Sequence, residues 1–375
     1  MQFDAVVIGA GAVGLACARA LSQKGLATLV VERHGKNGQE TSSRNSCVIH
    51  AGMYYPEGSL KAQLCFRSNQ LLYEYCSARN IAHRKIGKFI VAVNREEEPQ
   101  LQNIYERGLR NGVEGMAYVS GKEVQKDNPE ILCTSAIYSS QTGIIDPHEF
   151  MDALQQDAEA AGCIFLFGHH LIAVEPTGER YQLVLQTRQE RVAVESAIVI
   201  NAAGLDSDKV AELAKIDLLH AGYRLHYCRG HYFKLHPRRS RNLKNLIYPV
   251  PPKDMAGLGI HITVDLAGDA RLGPDTEYLA ERTQDYRVDE SLRKKFYQAA
   301  RWYLPSLQED ELSADYAGIR PKLQGPNDKY QDFVIQEESE RGLKNWVNLV
   351  GIESPGLTCA LGIANQVCEL LSLNN

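Results

Sequence analysis

The 375-residue sequence has no excess of basic residues and no long apolar run. Its 41 lysine and arginine residues are outnumbered by 46 aspartate and glutamate residues, and the formal net charge of −5 argues against nucleic acid as the main partner. No stretch of about 18 apolar residues is present, so nothing is predicted to span a membrane. Because the first apolar run starts at Phe3, we expect no signal or transit peptide and a cytoplasmic protein.

Paired cysteines are also missing, although the chain has nine cysteines. None of them forms a CxxC pair, so neither a disulfide framework nor a zinc site is predicted. The histidines do not follow metal-ligand spacing either, and we predict no metal. An odd number of cysteines fits a reducing compartment. At 375 residues the chain is long for one hydrophobic core, so two domains are expected.

The clearest motif present is a glycine-rich turn between an apolar run, 3–8, and a helical pattern. In a G-x-G-x-x-G turn the first glycine allows a sharp bend, the second lets a pyrophosphate approach, and the third lets the helix pack closely. A second apolar run ends in an acidic residue roughly twenty positions later, where an acceptor for ribose hydroxyls is expected. We therefore predict a dinucleotide site. Its residues here are Gly9, Gly11, Val13, Gly14, Glu32 and Arg33.

A polar segment, 41–55, follows this unit. Small hydroxyl and amide side chains crowd its first half, where they can cap a helix or donate hydrogen bonds to a pyrophosphate. The second half carries a histidine and a flexible Ala-Gly step. The predicted cofactor-binding residues in this segment are Thr41, Ser42, Ser43, Asn45, His50, Ala51 and Gly52.

Two later strands end in small residues, which permit close approach of a ligand. The second of them, 346–350, runs into a glycine turn and a helix that extends to about residue 371. A second strand–glycine–helix unit favours FAD over a nicotinamide cofactor, because its helix N-terminus can stabilise negative charge on a distant isoalloxazine ring. The further predicted FAD-binding residues are Leu171, Ala202, Ala203, Gly204, Ser354, Pro355, Gly356, Leu357 and Thr358.

Hydrophobic periodicity predicts a fold with α/β and α+β parts. We expect a discontinuous Rossmann-like FAD-binding domain made of residues 1–80, 142–220 and 338–375. Residues 81–141 and 221–337 are expected to form a substrate domain with a mixed or antiparallel sheet. Within these segments a helix is predicted over 119–128, and strands over 258–264 and 332–336 are predicted in the second sheet.

The chain resembles the D-amino-acid-oxidase-like flavoprotein superfamily, and within it the FAD-dependent L-2-hydroxyglutarate dehydrogenases and oxidases. The resemblance covers nearly the whole chain, and its most family-specific block is 50–61. It implies oxidation of a small dicarboxylic hydroxy acid, L-2-hydroxyglutarate, to 2-oxoglutarate. Segments 40–43 and 318–321 also resemble the glycerol-3-phosphate dehydrogenase branch, so glycerol 3-phosphate and amino acids are alternative substrates. The other segments that carry the resemblance are 9–14, 44–49, 229–230, 247–251, 259–261 and 273–274.

Hydride removal from a hydroxyl-bearing carbon needs a base, which favours histidine, and a carboxylate needs a fixed cation, which favours arginine. His50 is the first candidate for the base and His261 the second. Arg320 is expected to clamp the substrate carboxylate beside the cofactor. Tyr54 and Tyr248 are candidates for hydrogen bonds to substrate. The alternatives are structural histidines, a surface ion pair and packing tyrosines.

The expected partners are a small anionic substrate and an electron acceptor, which is a quinone, oxygen or an electron-transfer protein. A basic segment, 238–244, fits a solvated loop, and contact with anionic lipid at the inner membrane is the alternative. A flavin-binding protein without turnover is a different class of function that the motifs leave open.

Overall fold

A computed structural model describes residues 1–251 and 259–373. In this part of the chain the strands are β1 (Gln2–Ile8), β2 (Thr28–Glu32), β3 (Val48–Ile49), β4 (His83–Arg84), β5 (Lys88–Ala92), β6 (Met116–Ser120), β7 (Ser135–Ser139), β8 (Gly143–Ile145), β9 (Ile164–Phe167), β10 (His170–Thr177), β11 (Arg180–Gln186), β12 (Arg191–Asn201), β13 (His226–Leu235), β14 (Leu246–Pro249), β15 (Ile262–Val264), β16 (Ala270–Leu272), β17 (Glu277–Tyr278), β18 (Leu312–Lys322), β19 (Val334–Glu338) and β20 (Leu343–Val350). The helices are α1 (Ala12–Gln23), α2 (Leu60–Arg79), α3 (Glu98–Arg110), α4 (Gly121–Asp127), α5 (Pro147–Ala160), α6 (Ser207–Leu213), α7 (Leu218–Ala221), α8 (Pro237–Ser240), α9 (Arg293–Ala300) and α10 (Gly356–Leu370).

The first sheet has a parallel centre in the order β9, β2, β1, β12, β20. The hairpin of β10 and β11 adds to the first half of β12, and β19 pairs antiparallel with β20. Central strands such as β1 are continuous apolar runs because both faces of a parallel sheet are covered. Helices α1, α2, α5 and α10 contribute to the apolar cluster on one face, so the Rossmann-like prediction is confirmed.

The second sheet follows the order β17, β13, β16, β15, β14, β5, β7, β6, and β18 pairs with β13. Its pairings are antiparallel except for the parallel pair of β14 and β5, which confirms the predicted mixed sheet. A small third sheet joins β3, β8 and β4. Because β3 belongs to the segment that carries His50, this small sheet fixes the position of that histidine.

Local sequence signals explain how several of the elements begin. The Asp146 carboxylate accepts hydrogen bonds from the N–H groups of His148 and Glu149, and Pro147 is the first residue of α5. Ser59 caps α2 by accepting from the Ala62 N–H at 3.2 Å. These caps satisfy N–H groups that have no partner inside the helix.

Two of the predicted elements are wrong. The segment predicted as a strand of the second sheet at 332–336 overlaps β19 (Val334–Glu338), which lies in the first sheet because it pairs with β20. There the Asp332 carboxylate accepts from the N–H groups of Leu60 and Lys61 and thereby caps α2. The predicted helix 119–128 starts later, at Gly121, because 116–120 pairs with β7 as a strand.

The predicted strand 258–264 begins outside the described residues, and its described part contains β15. The predicted domain boundaries stay a prediction.

The close packing of α1 on β1 gives a test of the first glycine turn. A Cβ atom at Gly14 would lie 2.0 Å from the Gly9 carbonyl oxygen, so backbone would have to move. Gly14→Ala is expected to lower the free energy of unfolding by about 1–3 kcal/mol and to reduce the bound FAD. Denaturant unfolding and flavin absorbance measure both. Gly35→Ala is the control, because a Cβ atom there meets nothing within 4 Å, and equal losses in the two variants would contradict the prediction.

Candidate active site

One long cavity runs between the two large sheets. Its far end is lined by Glu32 and Leu171, and its near end by His50, Tyr248 and Arg320. It encloses about 1900 Å³ of space, including its mouth. Its lining residues extend from the first glycine turn to the turn before α10, and this length suits a dinucleotide with a small substrate at one end.

The glycine turn leaves room for phosphates on the cavity wall. Gly9 has a φ of +103°, and a Cβ there would lie 2.5 Å from the Ala202 carbonyl oxygen. A Cβ at Gly11 would meet only Ser42, whose Oγ is 2.9 Å away. The Ala12 N–H at the start of α1 donates to the same Ser42 Oγ at 3.0 Å. A helix N-terminus, small backbone and a hydroxyl therefore meet where a pyrophosphate is expected.

Glu32 is held firmly at the end of β2. One carboxylate oxygen accepts the Ala10 N–H at 2.8 Å, and the other accepts the His34 N–H at 2.8 Å. A carboxylate has about four acceptor positions, so ribose hydroxyls can still bind. The neighbouring Arg33 lines the cavity too, but its guanidinium is paired with Asp206 and Glu40.

His50 lies in the segment that connects β3 to α2. Its main-chain N–H donates to Thr358 Oγ1 at 3.0 Å, and its Nε2 lies 3.3 Å from Ser354 Oγ. Burial, then the positive charge of Lys88, lowers the pKa of His50 to about 3. The imidazole is therefore neutral at physiological pH.

His261 and Tyr248 form a stacked pair at the same end of the cavity. Their ring centres are 3.7 Å apart and the ring planes meet at 17°. His261 Nδ1 contacts the Gly259 carbonyl oxygen at 3.1 Å, whereas its buried Nε2 has no hydrogen-bond partner in the described residues. Burial lowers the pKa of His261 to about 3, and the charges of Lys88 and Arg320 add to this effect.

Arg320 projects from β18 at the cavity wall. Its Nη2 donates to the Asp275 carbonyl oxygen at 2.7 Å and to the Arg229 carbonyl oxygen at 3.4 Å. These contacts fix the plane of the guanidinium. Gly318 lets β18 approach the cofactor segment, because a Cβ there would lie 1.9 Å from the Arg44 carbonyl oxygen.

The turn before α10 closes the other side of this end. The cavity is lined here by Ser354, Pro355 and Gly356. These residues belong to the second glycine–helix unit and were predicted to bind FAD. The preceding residue, Glu353, is paired with Lys61 at 3.1 Å and with Lys322 at 3.2 Å. Burial by itself raises the pKa of Glu353, but the positive charges of Lys61, Lys322 and Arg320 bring it down to about 2. The ion pairs thus anchor the turn to α2 and β18.

Most of the predicted site residues lie together on the cavity wall. These are Gly9, Gly11, Val13, Gly14, Glu32, Arg33, Thr41, Ser42, Asn45, His50, Leu171, Ala202, Ala203, Gly204, Tyr248, His261, Arg320, Ser354, Pro355, Gly356 and Leu357. Five others do not line it, namely Ser43, Ala51, Gly52, Tyr54 and Thr358. The Ser43 hydroxyl donates a hydrogen bond to the Gly38 carbonyl oxygen, and the Thr358 hydroxyl accepts one from the His50 N–H. Both residues therefore support the cavity wall from behind.

Sequence reasoning missed several residues at the site. Tyr232 lines the cavity, and its hydroxyl forms a hydrogen bond with the Ser46 hydroxyl at 2.8 Å. Asp206 and Glu353 form ion pairs at the cavity wall. Lys88 was missed as well, although a charged residue at the start of a strand-like apolar run, 89–93, is a signal that could have found it.

Fold and cavity together define an α/β protein that binds a dinucleotide cofactor against a polar substrate pocket. The family comparison is more specific: the chain belongs to the DAO family of FAD dependent oxidoreductases, whose family model matches residues 4–370. It is an FAD-dependent oxidoreductase, and it acts on a small substrate and passes electrons to an acceptor.

Named relatives and solved structures agree with this family. The chain is 39% identical to the mitochondrial L-2-hydroxyglutarate dehydrogenase of Arabidopsis thaliana, over 98% of this chain and 83% of that protein. It is 29% identical to a glycerol 3-phosphate dehydrogenase of Caloramator mitchellensis, over 99% and 74% respectively. The dithionite-reduced, FAD-bound L-alpha-glycerophosphate oxidase of Mycoplasma pneumoniae superposes with a TM-score of 0.88 at 25% identity, covering 99% of this chain and 95% of that one.

The residues present fit FAD. The cradle around Gly9, Gly11 and Gly14 would lose its space if Cβ atoms were added, and the cavity continues from there to the N-terminus of α10. The first turn and α1 would hold the pyrophosphate, and the turn at Ser354 would meet the ring. In the described residues no group of three or more metal-ligating side chains is found, and no helix is both long and apolar enough to cross a bilayer.

The lowered histidine pKa values predict how stability changes with pH. Between pH 3 and about 6.5 the unfolded chain binds protons at His50 and His261 that the folded chain does not bind. The free energy of unfolding should therefore fall as pH is lowered through this window, by up to about 1.4 kcal/mol per pH unit for each histidine. Denaturant titrations at several pH values with saturating FAD measure this slope.

His261→Gln should make the slope smaller, because one of the two buried imidazoles is gone. His148→Gln, at an exposed position on α5, should leave it unchanged. The same slope in all three proteins would contradict the assignment.

Proposed function

We propose that this protein oxidises L-2-hydroxyglutarate to 2-oxoglutarate. The observation that carries the proposal is the 39% identity to an L-2-hydroxyglutarate dehydrogenase along 98% of the chain. The cavity supports it, because a buried imidazole and a fixed guanidinium border the same space at the predicted ring end. A 2-hydroxy acid needs both groups, one for its hydroxyl proton and one for its carboxylate.

When bound, FAD supplies the acceptor that takes a hydride from carbon 2 of the substrate. His50 accepts the hydroxyl proton at Nε2, which its contact with Ser354 Oγ orients. Arg320 binds the carboxylate next to the reacting carbon, and its bonds to backbone carbonyls keep the guanidinium in one plane. His261 and Tyr248 border the rest of the substrate. Both residues of the stacked pair are buried.

Glycerol 3-phosphate is the second candidate substrate. It is favoured by the whole-length similarity to the glycerol 3-phosphate dehydrogenase and by the superposition on the glycerophosphate oxidase. Amino acids are a third possibility within the same fold. The match to the family of FAD dependent oxidoreductases argues against a flavin-binding protein without turnover.

The electron acceptor is proposed to be a quinone, oxygen or an electron-transfer protein. We propose a cytoplasmic location with peripheral contact at the inner membrane, for which the basic segment 238–244 is the candidate surface. Part of its charge is already neutralised, because Arg239 is paired with Glu130 and Glu311.

Anaerobic reduction of the bound flavin tests the substrate directly. L-2-hydroxyglutarate is expected to bleach the flavin absorbance in the stopped-flow instrument, whereas D-2-hydroxyglutarate should not, because the chiral carbon must face both His50 and the ring. Glycerol 3-phosphate and a panel of amino acids are the comparison substrates. Faster bleaching by one of these would overturn the substrate, and a purified protein without flavin would overturn the cofactor.

Substitution of the two proposed groups separates their roles. His50→Gln should lower kcat by about 10²- to 10⁴-fold, because the hydroxyl proton has no acceptor. Arg320→Lys should mainly raise KM, by roughly tenfold or more, because lysine lacks the planar guanidinium that the backbone carbonyls hold in place. Steady-state kinetics at matched flavin content measure both. His148→Gln is the matched control for the first, and unchanged kinetics in both site variants would refute the assigned roles.

A further inference from the structure

Lys88 is a buried cation at the start of β5, with only 1% of its surface exposed. Its side chain lies on the same face of the strand as Ile90, and that face packs with Tyr54 and Tyr248 in one apolar cluster. Its Nζ is 4.6 Å from the ring centre of Tyr54 and 4.8 Å from that of Tyr248. Two aromatic rings therefore hold this ammonium by cation–π contacts.

Lys88 has no counter-ion in the described part of the chain. No ion pair or hydrogen bond of its Nζ is found within residues 1–251 and 259–373. Lys61, which is 5% exposed, differs because it has Glu353 at 3.1 Å. An unpaired buried ammonium is unfavourable, and the burial lowers the pKa of Lys88 to about 7. Such a group is expected where the negative charge arrives with a ligand.

Two further polar atoms near Lys88 lack a partner. The buried Nε2 of His261 and the buried hydroxyl of Tyr54 make no hydrogen bond to any described residue. Tyr248 joins these groups to the cavity, because it lines the wall, stacks on His261 and presents its ring to Lys88. Native proteins rarely leave several buried polar atoms unsatisfied at one place.

His261 lies in the field of two cations. Burial is the main cause of the lowered pKa of His261, and the positive charges of Lys88 and Arg320 lower it further. Arg320 borders the cavity directly, and Lys88 lies behind its wall. Two basic side chains, Arg320 and Lys88, therefore act on this end of the cavity.

We propose that Lys88 makes this cavity select a substrate with a second carboxylate. Arg320 binds the carboxylate next to the reacting carbon, and the charge of Lys88, acting past Tyr248 and His261, stabilises the distal carboxylate. The inference rests on the proposed function and deepens it, because it names Lys88 as the residue that makes the cavity prefer a dicarboxylate. Lys88 touches neither substrate nor cofactor in this scheme and is a positioning residue.

Binding of unreactive ligands tests the inference without turnover. Glutarate has two carboxylates and butyrate has one, and neither carries a hydroxyl to oxidise. Binding of each to the oxidised, FAD-loaded protein is followed by the change in flavin absorbance. Lys88→Met keeps the length of the side chain and removes its charge. This variant should bind glutarate about tenfold or more weakly than the parent protein. Its affinity for butyrate should fall by less than about threefold.

The matched control is Lys85→Met. Lys85 also lies over a tyrosine ring, 4.4 Å from the centre of Tyr73, but it is exposed. This variant should bind both ligands as the parent protein does. Equal weakening of glutarate and butyrate in Lys88→Met, or no weakening of either, would overturn the proposal.

A pH titration of the unsubstituted protein gives a second readout, which does not depend on how the variant folds. Glutarate affinity should fall above about pH 7, where Lys88 loses its proton, whereas butyrate affinity should change less. A flat glutarate profile would overturn the proposal. The titratable groups that face Lys88 from the surrounding elements are His50, Tyr54, Cys65, Tyr248 and His261.

Thermal unfolding separates this role from a structural one. If Lys88 only supported the fold, Lys88→Met would lower Tm together with all binding. We expect an unchanged or higher Tm, because methionine suits the apolar cluster better than an ammonium does. Failure of L-2-hydroxyglutarate to reduce the flavin would overturn the proposed function alone, since glutarate binding is measured without reaction.

Discussion

The close approach of main chain to main chain across the cavity is the constraint on which the rest of this structure depends. Gly9 faces the Ala202 carbonyl, and Gly318 faces the Arg44 carbonyl, at distances that leave no space for a side chain. The first contact brings β1 and β12 together under the cofactor, and the second brings β18 of the other sheet onto the cofactor segment. The second contact lies two residues before Arg320, which lines the same cavity as His50.

Charge is distributed unevenly along this space. At the adenosine end the charged groups have polar partners, since Arg33 is paired with Glu40 and Asp206, and Glu32 is held by backbone N–H groups. At the substrate end Arg320 and Lys88 have no acidic side chain paired with them in the described residues. A cavity with this polarity attracts a small anion and keeps the nearby imidazoles neutral.

Much of the cofactor site could be predicted from the sequence because its signals are local. A strand, three glycines and a helix follow one another within the first 23 residues. A strand, a glycine turn and a helix also follow one another at β20 and α10. Lys88 was not recognised, since its importance comes from Tyr54 and Tyr248, which lie far from it in the chain. The pairing of β14 with β5 brings Tyr248 close, and Tyr54 packs from a turn. The segment 332–336 was placed in the wrong sheet for the same reason, because nothing local shows that it pairs with β20.

The sequence by itself determined the class of cofactor and the type of fold, since glycine spacing and apolar periodicity act over a few residues. The tertiary structure decided which polar groups share a cavity and which are neutralised elsewhere. Arg33 and Arg320 are alike in the sequence, yet one is taken up by two carboxylates and the other faces the substrate space. Burial and pairing depend on residues far apart in the chain, and these set the charge of each group.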